Sequence, residues 1–376
     1  MTSAQLPTSS RTEKPPRPSG KIVPLSPFPS RTHFTLALNN QLIAPPAYHE
    51  KYGYFPIEGD RIVAYDLTLG MQRWIVSAKP RWAPAVGGDL LFIDQEGGLS
   101  AMRTSDGSIA WTIPMTEALV TSPVWDHGWL VLVTAMDVLT LRAADGTMVW
   151  RQSIAGTRAA PAIDADRLYL SLADGRVLAL RLDTGAEIWS RKLGGPPNEI
   201  LALDDRLFLG SNDNYFYGLK ADDGTVDWRV RTGADVVSKP IADRDRLYFV
   251  SLDNVIRAVN RRNGVQQWKK PLPFRPAWPP LAAADAVVVA GISGSVQAFF
   301  MKDGAPAGEL PVDAASEIAA PLHAFTSTAA LGPILIVVTR SIAGGATIGA
   351  VSHTIDPPIV ALAPLPGLIP VAVPKP

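Results

Sequence analysis

Between residues 32 and 352 short apolar runs alternate with polar punctuation, in the rhythm of strands and tight turns. Arg167-Leu168-Tyr169-Leu170-Ser171 forms one run, and Asp174-Gly175 interrupts it. Arg176-Val177-Leu178-Ala179-Leu180 follows, then Asp183-Thr184-Gly185, then Glu187-Ile188-Trp189. β-favouring runs of this length closed by Asp-Gly or x-Gly are hairpin signals. No stretch sustains a 3.6-residue apolar period, which disfavours helix.

The pattern carries a recurring phrase, Ala-x-(Asp/Arg/Lys/Asn)-x-x-x-Gly-x-x-x-Trp. It begins as Ala64-Tyr65-Asp66 with Gly70 and Trp74, and returns as Ala101-Met102-Arg103 with Gly107 and Trp111. A weaker copy has Thr140-Leu141-Arg142, Gly146 and Trp150. Then come Ala179 with Gly185 and Trp189, Gly218 with Gly224 and Trp228, and Ala258 with Gly264 and Trp268. A seventh copy, Ala298 with Gly304, lacks the tryptophan. The steps between tryptophans are 37, 39, 39, 39 and 40 residues. Prolines keep the same phase at Pro45, Pro84, Pro123, Pro161, Pro240, Pro280 and Pro321, with one place skipped near Ile200.

Four antiparallel strands in about 40 residues are one propeller blade, and a fixed period means stacked blades. Counting both markers predicts an all-β, eight-bladed β-propeller of four-stranded blades over residues 32–354. Residues 42–310 hold seven complete blades, and the last, from about Ile318, is degenerate with an insertion at 326–332. The segment 32–38 stands where the other units keep their tryptophan strand, so it is expected to close the last blade and remove an open sheet edge. The repeat glycine is expected at positive φ in its turn. Trp74, Trp111, Trp150, Trp189, Trp228 and Trp268 are expected on outer strands, each ring covering a seam between blades while its N–H finds a carbonyl.

This phrase resembles the tryptophan-docking motif of PQQ-like, quinoprotein-type β-propellers. The layout without added domains is most similar to the BamB group of outer-membrane assembly factors. The resemblance implies a scaffold that binds other proteins, at the periplasmic side or periphery of the outer membrane. In the dehydrogenases of the same superfamily it would imply PQQ, a Ca²⁺ site from carboxylate and amide side chains, an Asp base and a neighbouring Cys pair. The repeat phrase itself is common to enzymes and scaffolds.

Composition narrows these options. The chain has no cysteine, so disulfides, thiolate metal sites, Cys nucleophiles and the Cys pair of the quinoproteins are excluded. Lys+Arg and Asp+Glu are 35 each, giving no global pull toward nucleic acid or an anionic membrane. The five histidines, His33, His49, His127, His323 and His353, show no metal-ligand spacing, and neither a phosphate loop nor a nucleophile elbow is present. Asp94-Gln95-Glu96-Gly97-Gly98 fails the ligand count of a Ca²⁺ loop. No cofactor, no metal and no catalytic residue are expected, and the chain reads as a non-enzymatic monomer with a protein partner; the alternatives are a PQQ-dependent quinoprotein dehydrogenase or a sensor propeller that binds a small ligand or carbohydrate.

The flanks differ from the repeat. Residues 1–31 are Pro-rich with scattered charges and read as a disordered arm without the apolar core of a signal peptide, which leaves the compartment open. Residues 355–376 form a Pro-rich apolar tail, read as covering one face, hanging free or engaging another protein. The window 318–339 carries no charge, yet its prolines and its blade phase argue against a membrane helix.

The candidate site lies in the links that lead into each innermost strand. Trp82 and Trp278 each precede a phased proline by two residues. Arg81, Arg158, Lys239 and Arg275 hold similar places, as do Glu117, Glu199 and Asp235. Two readings stand: the rings fill the tapered channel, or Trp82, Trp278, Arg275 and Asp235 belong to a partner-docking face of the kind aromatic and arginine hot spots make. Asp235 resembles the acidic link of BamB-like proteins. Open blade edges would add a route for peptides by strand addition.

Overall fold

The structure, a computed structural model, describes residues 24–292, 294–328, 330–341 and 344–354. Eight antiparallel sheets follow one another along the chain. In the first seven, sheet order equals chain order, so strands a to d step outward from the hub. Blade 4 shows the plan: Ala162–Asp164, Arg167–Ser171, Arg176–Arg181 and Glu187–Lys192. Blade 8 takes its a strand in two pieces, Ser316–Ile318 and His323–Thr326, then Leu331–Ser341 and Ala346–His353. Its d strand is Ser30–Ala37 from the other end of the chain, paired from Ser30 opposite His353 to Ala37 opposite Thr347. The expected eight blades and the expected closing strand are both present. The segment read as an insertion is the a–b turn of blade 8. Among the described residues, no helix is long and apolar enough to cross a membrane.

Each blade has two apolar faces, and neither can be buried within the blade. Eight apolar clusters result, one per seam, each built from two neighbouring blades. The cluster of Phe55, Val63, Ile336 and Ile348 joins blade 8 to blade 1 and shuts the ring.

The repeat phrase has a geometric cause. Ala179 on strand c lies between Tyr169 on b and Trp189 on d. Its small side chain leaves room for the two rings, whose centroids are 6.1 Å apart. Tyr54-Ala64-Trp74, Phe92-Ala101-Trp111, Phe208-Gly218-Trp228 and Tyr248-Ala258-Trp268 repeat the arrangement. In blade 3 the trio is Val131-Thr140-Trp150, which is why that copy looks weak. The rings also reach forward. Trp74, Trp111, Trp150, Trp189 and Trp268 donate Nε1–H to carbonyls of the next blade at 2.8–3.1 Å. Trp228 Nε1 has no acceptor. The repeat glycines, at φ of 66–76°, bring the next turn down onto the ring.

Two seams use phenylalanine instead. Phe34, on the closing strand, lies against Gly70, where an added Cβ would meet the ring at 2.9 Å. In blade 7 the tryptophan position is Gly308, and the vacancy is filled by Phe28 from the N-terminal arm, only 3% exposed. Leu25 N donates to the Asp285 carboxylate Oδ2, Asp285 N donates to Leu25 O, and Ser26 donates Oγ–H to Ala307 O. The part of the arm that the structure describes, from residue 24, is therefore packed on blade 7, whereas composition alone placed it in a disordered segment. Residues 1–23 of that arm and the tail 355–376 lie outside the described residues.

Candidate functional site: the link face

Four antiparallel strands per blade put all d-to-a links and b–c turns on one face, and all a–b and c–d turns on the other. Strand a is an edge strand at the hub, so a proline at its start gives up no ladder hydrogen bond. Each link is pinned to its own blade three residues before that proline. Arg81 N donates to Asp94 O at 2.9 Å, Val120 N to Val133 O at 2.9 Å, and Arg158 N to Ser171 O at 3.0 Å. The next residue is Trp82 in blade 2 and Trp278 in blade 7.

These two rings share one hollow of about 490 Å³ at the mouth of the hub, with Val120, Arg158, Glu199 and Val237. Trp82 is held by Nε1–H to Leu119 O at 2.9 Å and remains 37% exposed. Trp278 is half-buried against the seam of blades 7 and 8, and its Nε1 has no acceptor. Arg81 makes the Trp82 link rigid by forking onto the fully buried Asp94, Nε at 3.0 Å and Nη2 at 2.7 Å. Those hydrogen bonds push the Arg81 pKa upward, so the guanidinium is always charged.

The mouth is close to neutral. Arg158 is a cation on its wall and Glu199 a carboxylate, and Glu199 Oε2 already accepts from Lys239 N at 2.7 Å. Asn198 Nδ2 donates to Asn212 Oδ1 at 2.9 Å and Val236 O at 2.8 Å, tying two links together. Apolar contact rather than charge dominates the surface.

Arg275 lines a larger hollow of about 1010 Å³ between the links of blades 7 and 8, with Phe274, Ile292 and Val312. Ala277 belongs to both hollows, so Trp82, Trp278 and Arg275 lie along one continuous wall. Asp235 lines neither; it is half-buried, and its carbonyl accepts from Leu252 N at 2.9 Å. The two other tryptophans outside the repeat phase serve packing. Trp125 lies where a Cβ on Gly87 would be, and Trp129 packs into the seam of blades 3 and 4.

The sequence reading missed the apolar members of this face. Val120, Val237 and Ile292 are 36%, 43% and 52% exposed. In a β-rich chain such residues look like core. The available signal was phase, since Val120 and Val237 both stand three residues before a link proline.

An eight-bladed ring built on this repeat, with a hub ringed by links, belongs to the class of PQQ-like propellers. The sequence profile described as "Outer membrane protein assembly factor BamB" matches residues 58–203 and again 200–352, and the chain belongs to that family. No curated protein matches it. Among solved structures, BamB from Moraxella catarrhalis is 18% identical with a TM-score of 0.68, covering 87% of this chain and 98% of that one. A europium-containing methanol dehydrogenase is 11% identical with a TM-score of 0.69, covering 86% and 93%. The computationally designed Ika8 protein is also similar, at 11% identity and a TM-score of 0.67, covering 84% and 97%. At these identities the likeness is one of fold.

Proposed function

We propose that this chain is a non-catalytic scaffold that docks a protein partner on its link face, as an assembly factor of its family would. The observation that carries the reading is the shared wall of Trp82 and Trp278, flanked by the exposed Val120, Val237 and Ile292 and by Arg275. Aromatic rings and an arginine on rigid links, with little net charge, suit a partner segment that presents apolar side chains. Tryptophan docking between blades serves this role by holding the links in fixed positions.

The rival reading is a quinoprotein dehydrogenase, favoured by the fold of the methanol dehydrogenase above. The hub donors do not fit it. A Ca²⁺-bound quinone needs carboxylate and amide oxygens free to converge. Here Glu199 Oε2 already accepts from Lys239 N, and the Asn198 amide is fixed in orientation by its Nδ2 donating to Asn212 Oδ1 and Val236 O. Among the described residues, no group of three His, Cys, Asp or Glu side chains is placed to hold a metal.

Two measurements separate the readings. Titration with PQQ and Ca²⁺ is expected to give no change in absorbance and no dye-coupled dehydrogenase activity; a saturable change with turnover would overturn the scaffold reading. Binding to the purified barrel-assembly partner from the same cells is expected to weaken at least tenfold in Trp82→Ala and Val237→Asp. Full binding in both variants would move the docking surface elsewhere.

A further inference from the structure

We infer a second binding site, in the seam between blades 2 and 3, for a small molecule that carries a positive charge on a short apolar body. The seam holds a partly open cavity of about 290 Å³. Ile113 and Met115 of blade 2 line it with Leu132, Leu139, Leu141 and Met148 of blade 3. Apolar cavities of about half that size accept a benzene ring, so one ring or a short alkyl chain fits.

One wall residue, Leu139, sits at a register that varies along the repeat: blade 4 also has a leucine there, Leu178, and blades 1 and 2 have Val63 and Ser100. Leu139 pairs across strands c and d with Arg151. Blades 5 and 6 carry Tyr217 and Arg257 at the same register, opposite Arg229 and Lys269. Both are larger than leucine, and Arg257 is itself buried in its seam. Trp111, the seam tryptophan here, is half-buried, as is Trp150, whereas Trp74, Trp189, Trp228 and Trp268 are buried.

The polar groups at the edge of the cavity set the charge of the ligand. Arg151 bonds Asp137 through Nε at 2.8 Å and through Nη2, and Ser153 Oγ donates to the same carboxylate at 2.9 Å. Arg151 Nη2 also lies 3.5 Å from Glu117 Oε1. One guanidinium therefore faces two carboxylates. The Glu117 side chain is 39% exposed, but its Oε2 faces inward, shielded from water, and accepts no hydrogen bond. A shielded carboxylate oxygen without a donor is costly, and an ammonium would supply a charge-assisted bond. A carboxylate ligand would instead add a third negative group to the cluster.

Benzylamine, benzyl alcohol and benzoate have the same body and different heads. Calorimetry on the full chain is expected to show one benzylamine bound, at least tenfold tighter than benzyl alcohol, with no benzoate binding. Leu139→Tyr, which installs the blade 5 residue, is expected to abolish binding while circular dichroism stays unchanged. Glu117→Gln is expected to bring benzylamine to the level of the alcohol. With methyl-labelled methionine, the Met115 and Met148 resonances of the unaltered chain should shift on binding and the other methionines should not, a readout that needs no variant. No saturable benzylamine binding, or shifts confined to other methionines, would overturn the site. Equal affinity for benzoate, or undiminished binding in Glu117→Gln, would overturn its charge preference.

Discussion

Ala179 is small because two rings flank it. Tyr169 and Trp189 sit on either side across the sheet, and any added methyl group must push one of them off the seam. Ala179→Val is expected to cost about 2 kcal/mol, the usual range for overpacking a filled core, read as a lower urea midpoint with an unchanged slope. The tryptophan and the glycine of this unit were legible in the sequence because they are rare and regular. The ring on strand b was not, since Tyr54, Phe92 or Tyr169 reads as any core residue until the hairpin register sets it beside the alanine. Two histidines give a second test at this scale. Burial first, and then Arg31, lowers the His33 pKa, while burial lowers that of His323 against an opposing hydrogen bond to Glu50 O. The unfolded chain takes up these protons near pH 6.5 and the folded chain only at lower pH. Stability contributed by the neutral rings is thus present above about pH 6.5 and is lost as the pH falls through that window toward the folded values. The melting temperature should drop between pH 7.5 and 5, and the drop should shrink in the His33→Asn, His323→Asn double variant. An equal drop in both proteins would assign it to other groups.

At the scale of elements, the seventh copy of the repeat shows where sequence reading stops. Its missing tryptophan was visible as a gap at Gly308, but the residue that fills it lies in the N-terminal arm, in a proline-rich stretch that composition assigns to disorder. Only the folded ring brings Phe28 to Gly308. Phe28→Ala is expected to cost about 3 kcal/mol, the range for removing a buried aromatic ring. Gly308→Ala meets two penalties: φ of 101° strains an L-residue, and an added Cβ would meet Phe28 Cβ at 2.6 Å. The second penalty depends on Phe28 and the first does not. A double-mutant cycle with Phe28→Gly, which removes that Cβ, should therefore give an interaction energy of about 1 kcal/mol or more, with part of the Gly308→Ala cost persisting in the Phe28→Gly background. Full additivity would mean that the arm does not occupy the seam.

At the scale of the molecule, one arrangement supports the rest: eight seams close because a strand from the start of the chain completes the last blade. That closure was legible, since segment 32–38 held the phase of an outer strand with no blade of its own. The proposed docking face was legible in part. Phase picked out Trp82, Trp278 and Arg275, which line adjoining hollows, because link positions repeat with the blades. Asp235 stands in the same series of links but lines neither hollow. Phase passed over Val120 and Val237, whose exposure depends on the curvature of the ring and not on local pattern. The central claim, that the link face is the working surface, has a direct test. A photoreactive residue is placed at position 82 or 237 on the link face, or at position 183 or 303 in the c–d turns of the opposite face, and the cells are irradiated. The account predicts adducts with a single protein partner from positions 82 and 237 and none from 183 and 303; adducts from the turn face alone, or equally from both faces, would contradict it.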